Sequence, residues 1–173
     1  MTLSIPQFDL LVRRLEQNCN NAVLDGIAAE YPADISLLNH LIALAESADP
    51  SLQLVATALL KRYHAAGAHL STTAVGRLLD LLLAFTHWES RLQILQMLPK
   101  LEIPDTHADS LCDCLQRLIG DRNKFIRAWA YTGLHRLASV YPEYRAEIAT
   151  LLRNVARKEG PSVRARLRQL PSL

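Results

Sequence analysis

The stretch DRNKFIRAWAYTGL, residues 121–134, decides how the whole chain is read. Ile126, Trp129, Ala130, Gly133, Leu134 and then Leu137 recur at three- and four-residue steps, the spacing that gathers side chains on one side of an α-helix. Three other stretches align with it: DPSLQLVATALL (49–60), THWESRLQILQML (86–98) and GPSVRARLRQL (160–170). Leu52, Ser90, Ile126 and Val163 then share one register, separated by 38, 36 and 37 residues. A second slot four positions on holds Ala56, Ile94, Ala130 and Leu167. A period near 37 residues with two helices per unit is the mark of an α-solenoid. In such a chain each hairpin is too small to bury its own apolar face, so neighbours stack into one core.

Outward from this stretch, apolar stripes of the same kind cover residues 8–15, 24–31, 38–45, 52–63, 75–85, 88–98, 108–118, 126–137, 148–155 and 163–167. They predict ten short helices, and no comparable segment alternates with the two-residue period of a strand. The breaks carry start and stop chemistry. Ser4-Ile5-Pro6-Gln7 has the form of a capping box, and Asp49-Pro50 places a carboxylate at an N-cap with Pro at the first helical position. Gly67 can close a helix in the left-handed conformation, and Ser71 can cap the next. Pro99 and Pro104 bracket a connector, while Asp105, Asp121 and Gly160-Pro161 mark further starts. Every linker is short, so consecutive helices are expected to lie antiparallel.

The composition agrees. Half of the 173 residues are hydrophobic and 21% are charged, enough for a buried core and unlike a disordered tail. With only 6 Gly and 8 Pro there is little punctuation beyond the helix breaks. No apolar run approaches the roughly 18 residues of a membrane span, LLDLLLAF being cut by Asp80. The first residues place Arg13 and Arg14 after the apolar patch, the reverse of a secretion signal, and the three Cys and absent Asn-x-Ser/Thr sequon give no sign of secretion. A cytoplasmic protein with no membrane partner is expected.

DRNKFIRAWAYTGLHRL resembles the second helix of a HEAT repeat, with Asp121 at its start, the aliphatic–basic pair Ile126-Arg127 and small and leucine positions at Ala130 and Leu134. GPSVRARLRQL repeats the pair as Val163-Arg164 without the Asp; DPSLQLVATALL keeps Asp49 but has Leu52-Gln53; THWESRLQILQML keeps only Arg91 and the spacing. The likeness covers residues 34–171 loosely, with N-terminal helices at about 7–18 and 20–31 as a divergent cap. It implies an all-α fold, a short right-handed α–α superhelix of about five hairpins, forming a single domain over residues 1–173. It further implies that the second helices line a concave groove that binds a protein or peptide without catalysis. In register, Gln53, Thr57, Gln93, Lys124, Arg127, Tyr131, His135, Arg164 and Arg168 are expected on that groove.

Other chemistry is thin. His107, Cys112 and Cys114 suggest zinc, but a C-x-C within a helix points its thiols about 200° apart and a fourth ligand is lacking. Cys112 is therefore expected to be an ordinary buried residue, Cys19 has no suggestive partner, and no metal or cofactor is expected. No nucleophile elbow, phosphate loop, dinucleotide fingerprint or zincin motif occurs, and Glu89 near His87 and the spaced Asp109 and Asp113 read as ordinary surface carboxylates. Trp88 and Trp129 are expected to anchor the core.

Charge is strongly polarised. Residues 1–116 carry a net −6 and residues 117–173 a net +8. The basic part includes Lys124, Arg127, Arg153, Arg157, Lys158, Arg164, Arg166 and Arg168. Solvated or helix-capping arginines are the plain reading; the functional reading is a patch for an acidic protein segment or for a phosphate backbone. The second of these resembles the HEAT-like DNA alkylation repair glycosylases, although no residue here takes the place of their catalytic Asp. HEAT-containing bilin lyases find no supporting residue.

Overall fold

The computed structural model describes residue 13 and residues 20–155 and 158–173. The capping box at 4–7, the helix expected at 7–18, Cys19 and Arg157 lie outside the described residues. Among those described, the secondary structure is helical throughout and no strand occurs. The helices are α1 (Asn21–Glu30), α2 (Ile35–Ala45), α3 (Pro50–Ala65), α4 (Thr72–Asp80), α5 (Trp88–Met97), α6 (Ala108–Leu118), α7 (Lys124–Val140), α8 (Arg145–Val155) and α9 (Pro161–Leu167). None is long and apolar enough to cross a membrane.

Short polar side chains start these helices by accepting amides that have no intrahelical partner. Asn20 caps α1 through Val23 N at 3.0 Å, and Asp34 caps α2 through Leu37 N at 2.8 Å. Asp49 and Ser71 cap α3 and α4 as the sequence suggested. Gly67, at φ +96°, closes α3: the Gly67 and Ala68 amides donate to the carbonyls of His64 and Tyr63. That pairing is a Schellman motif, which favours a residue without a Cβ. The stripe at 75–85 differs from expectation. α4 ends at Asp80 and residues 81–84 continue in turns, while Leu82 and Phe85 remain buried. Arg91 holds this bend by donating to the carbonyls of Leu82 (2.8 Å) and Phe85 (2.7 Å).

The chain forms two compact units, Met1–Met97 and Leu98–Leu173. In the first, α3 is central and packs on α1, α2 and α5. Ala56, Leu59 and Leu60 are fully enclosed, together with Leu37, Leu41 and Ile42 of α2. Ion pairs tie the rim: Arg62 to Asp25 at 2.7 Å, and Arg77 to both oxygens of Glu46 at 2.6 Å. The Arg77 hydrogen bonds hold the Glu46 carboxyl below its usual range.

In the second unit α7 is central and packs on α6, α8 and α9. Ile126, Ala130, Leu134 and Leu137 are fully buried. Gly133 lets neighbours close in, since a Cβ there would lie 3.0 Å from methyls of both Leu98 and Leu115. Tyr141 donates to the Ile103 carbonyl at 2.8 Å, and Tyr144 donates to Asp109. Polar ties within each unit repeatedly join residues 35–37 apart: Arg62 with Asp25, Lys61 with Gln96, Tyr144 with Asp109 and His135 with Pro171.

The tryptophans correct an expectation, because neither anchors the core. Trp88 is 40% exposed, and Trp129 is half-buried beneath the Arg166 guanidinium, 3.8 Å from its ring centre. Each falls where its stripe meets solvent, and there an arginine of the neighbouring α9 covers Trp129.

Candidate docking face of the C-terminal unit

Arg127, Tyr131 and His135 succeed one another at four-residue steps and form one stripe along α7. This stripe is covered. Arg127 donates through Nε and Nη2 to the two carboxylate oxygens of Glu159, at 2.9 and 3.0 Å. Its Nη1 donates to the carbonyls of Asp121 (3.0 Å) and Arg122 (3.2 Å). The Tyr131 hydroxyl donates to the same Glu159 at 3.2 Å, and His135 Nε2 donates to the Pro171 carbonyl at 2.9 Å. Arg127's hydrogen bonds keep the Glu159 carboxyl below its ordinary range; burial, with Glu159 beside it, pushes the Tyr131 phenol up.

The expectation of one groove lined by all three is therefore corrected: Tyr131 and His135 are buried and Arg127 is half-buried, with Arg127 and Tyr131 beside a hollow of about 420 Å³ and His135 at the edge of a separate one. They tie α7 to the segment around α9. Gln53 and Thr57 are corrected in the same way: both are buried in α3 and hydrogen-bond within their own turn of chain, to the carbonyls of Ser47 and Gln53. An amphipathic pattern locates the apolar stripe of a helix, but the polar stripe beside it faces either solvent or the next hairpin, and the pattern is the same for both.

The remaining expected residues are accessible. Gln93 is half-buried beside a hollow of about 630 Å³ in the first unit, shared with Asp25, Lys61 and Arg62. Lys124 is exposed, its ammonium 5.3 Å from the Phe125 ring centre. Arg164 and Arg168 are exposed on α9 and open onto a cavity of about 600 Å³. His135 reaches its edge, Leu152 of α8 and Leu167 of α9 give it apolar walls, and Arg153 of α8 completes a rim of three guanidinium groups. Among the described residues no carboxylate pairs with Arg164 or Arg168, and Arg153 donates only to the Thr150 hydroxyl at 3.1 Å. The site joins Arg164, Arg168 and His135 and leaves Lys124, Arg127 and Tyr131 apart. Leu152 and Arg153 were legible only as one apolar and one basic residue of the charged C-terminal segment.

The surroundings fit an anionic, partly apolar occupant. Three guanidinium groups around an apolar wall favour carboxylates backed by aliphatic carbon. The sulfur-bearing residues offer a different chemistry, yet Cys112 and Cys114 are buried and burial pushes the Cys112 thiol up. Among the described residues no three His, Cys, Asp or Glu side chains converge as a metal site. His87 lies 3.6 Å from Glu89 on the surface, and Asp109 takes the Tyr144 hydroxyl. Comparison of the chain with protein-family models, with curated proteins and with solved structures gives no match.

Proposed function

We propose that this chain is a HEAT-like helical-repeat binding module of the cytoplasm that takes up an acidic segment of a partner protein, without catalysis, on the Arg153–Arg164–Arg168 face. The observation that carries this reading is the open cavity in which two exposed arginines and an apolar wall stand without an acidic side chain paired to them among the described residues. The right-handed solenoid is part of the proposal. It is supported by the 36–38-residue spacing and by the arginine at one repeat position, Arg91 and Arg127, that braces the preceding loop carbonyls in both units.

An acidic peptide and a duplex DNA, each fluorescently labelled, are titrated at two salt concentrations. The peptide is expected to bind with higher affinity, and Arg164→Gln with Arg168→Gln together to abolish its binding. Duplex DNA is expected to bind only at the non-specific level of about 10⁻⁴ M near physiological salt. Sub-micromolar, steeply salt-dependent DNA binding lost in the same double variant would transfer the face to a nucleic-acid function.

A further inference from the structure

The helix α9 matches α7 in sequence register, and the two differ in what lies beside them. Ile126 and Val163 hold the same register and both are buried, which turns Arg164 and Arg168 to the side of α9 that Arg127 and Tyr131 occupy on α7. On α7 this side is occupied. Glu159, directly ahead of the Gly160-Pro161 start of the next helix, receives two hydrogen bonds from Arg127 and one from Tyr131. On α3 the same side, Gln53 and Thr57, is buried as well. On α9 it is open, and the acid that register calls for is not supplied by any described residue.

We infer that this face receives the N-terminal end of an acidic helix from a partner protein, whose carboxylate, placed just before the helix start, is clasped by Arg164 and Arg168 as Glu159 is clasped by Arg127 and Tyr131. The inference rests on the binding function proposed above and adds its geometry. The occupant lies against α9 as the Glu159 segment lies against α7. Where α7 offers one cation and one hydroxyl, α9 offers two cations, with Arg153 at the rim as a third. More than one carboxylate is needed to balance them, and acidic residues in the first turn of the incoming helix supply that charge while stabilising the helix start itself. Apolar side chains on the same helix cover Leu152 and Leu167, so charge and burial act at one place. The mode differs from a purely electrostatic patch because a single carboxylate position matters more than total charge.

The test uses three labelled peptides of about 20 residues, long enough to form a helix, titrated against the full chain by fluorescence anisotropy. The first begins Glu-Gly-Pro and continues as an acidic amphipathic helix; the second has that leading Glu replaced by Gln; the third is a scramble of the first. The first is expected to bind best, with the Gln peptide roughly tenfold weaker. Arg164→Gln should erase the difference between those two, the coupling that a double-mutant cycle isolates, while Arg122→Gln on the exposed loop keeps it. Circular dichroism checks that each variant is folded. Equal binding by all three peptides overturns the helix-start geometry and leaves the acidic-segment function standing. Failure of all three overturns both. Sedimentation that shows an Arg164-dependent dimer makes the occupant a second copy of this chain and overturns the partner.

Discussion

Arg127 and Arg164 hold the same register position, 37 residues apart, and follow the aliphatic residues Ile126 and Val163, both buried. Their surroundings are opposite. Arg127 spends its guanidinium on Glu159 and two loop carbonyls, and its side chain is 21% exposed. Arg164 stands exposed beside a cavity. One residue type at one repeat position thus closes a joint in α7 and leaves a free surface in α9. What separates them is Glu159, which lies against the first, while the second borders the cavity. The same side chain at matching places on two helices is set to opposite uses by what packs beside it.

The largest effect expected from breaking this contrast lies beneath it. Ile126→Ala removes fully buried aliphatic carbon from α7 and should cost about 2–5 kcal/mol by chemical denaturation. A loss under about 1 kcal/mol would mean that the core of the second unit closes elsewhere.

Glu159→Ala tests the joint itself. It strips Arg127 and Tyr131 of their shared acceptor in a part-buried setting and should cost about 1–3 kcal/mol. The effect should depend on pH. A carboxyl held below its usual range contributes stability that is present above the unfolded value, about 4.3, and is lost as pH falls through the lowered folded value. Parent and variant should therefore converge in stability below that window, and a difference that persists unchanged into strong acid would assign the cost to packing.

A smaller effect is expected at the start of α7. Asn123, not Asp121, accepts the Phe125 amide there, while Asp121 accepts the Asn123 amide one turn earlier. Asn123→Ala should lower stability by about 1 kcal/mol, and a thermal melt in which Asp121→Ala costs more would return the cap to Asp121.

The smallest is Arg164→Gln, expected to change stability by less than about 0.5 kcal/mol because the side chain touches little of the fold. A larger loss in the unbound protein would show that this arginine already has an intramolecular task, and the contrast with Arg127 would dissolve.

The helical class and several helix starts were legible because they are written locally. Apolar steps of three and four give helices, while Asp49, Ser71 and Gly67 act through bonds to residues a few positions away. The six-residue step from Asp121 to Arg127 was legible too, although the contact is to the Asp121 carbonyl and the charge partner is Glu159. The site was half legible. Arg164 and Arg168 were found through charge, but Tyr131 and Thr57 were assigned to a groove although they are buried. Which flank of a helix a neighbour covers is decided by residues 28–36 positions away, and no local pattern encodes it. Trp88 and Trp129 show the same limit, since size alone did not predict that they would sit at the boundary with solvent.

The two cysteines of α6 make the second unit its own clock. Cys112 and Cys114 lie buried, and Cys112 is further quieted because burial disfavours its thiolate, the only form that alkylating reagents attack at a useful rate. Labelling at neutral pH therefore waits for the second unit to open around α6, and the labelling rate reads how often it does so. Followed with and without an acidic peptide, the same rate reports whether an occupant on α9 slows breathing on the far side of α7, with no probe added to the docking face.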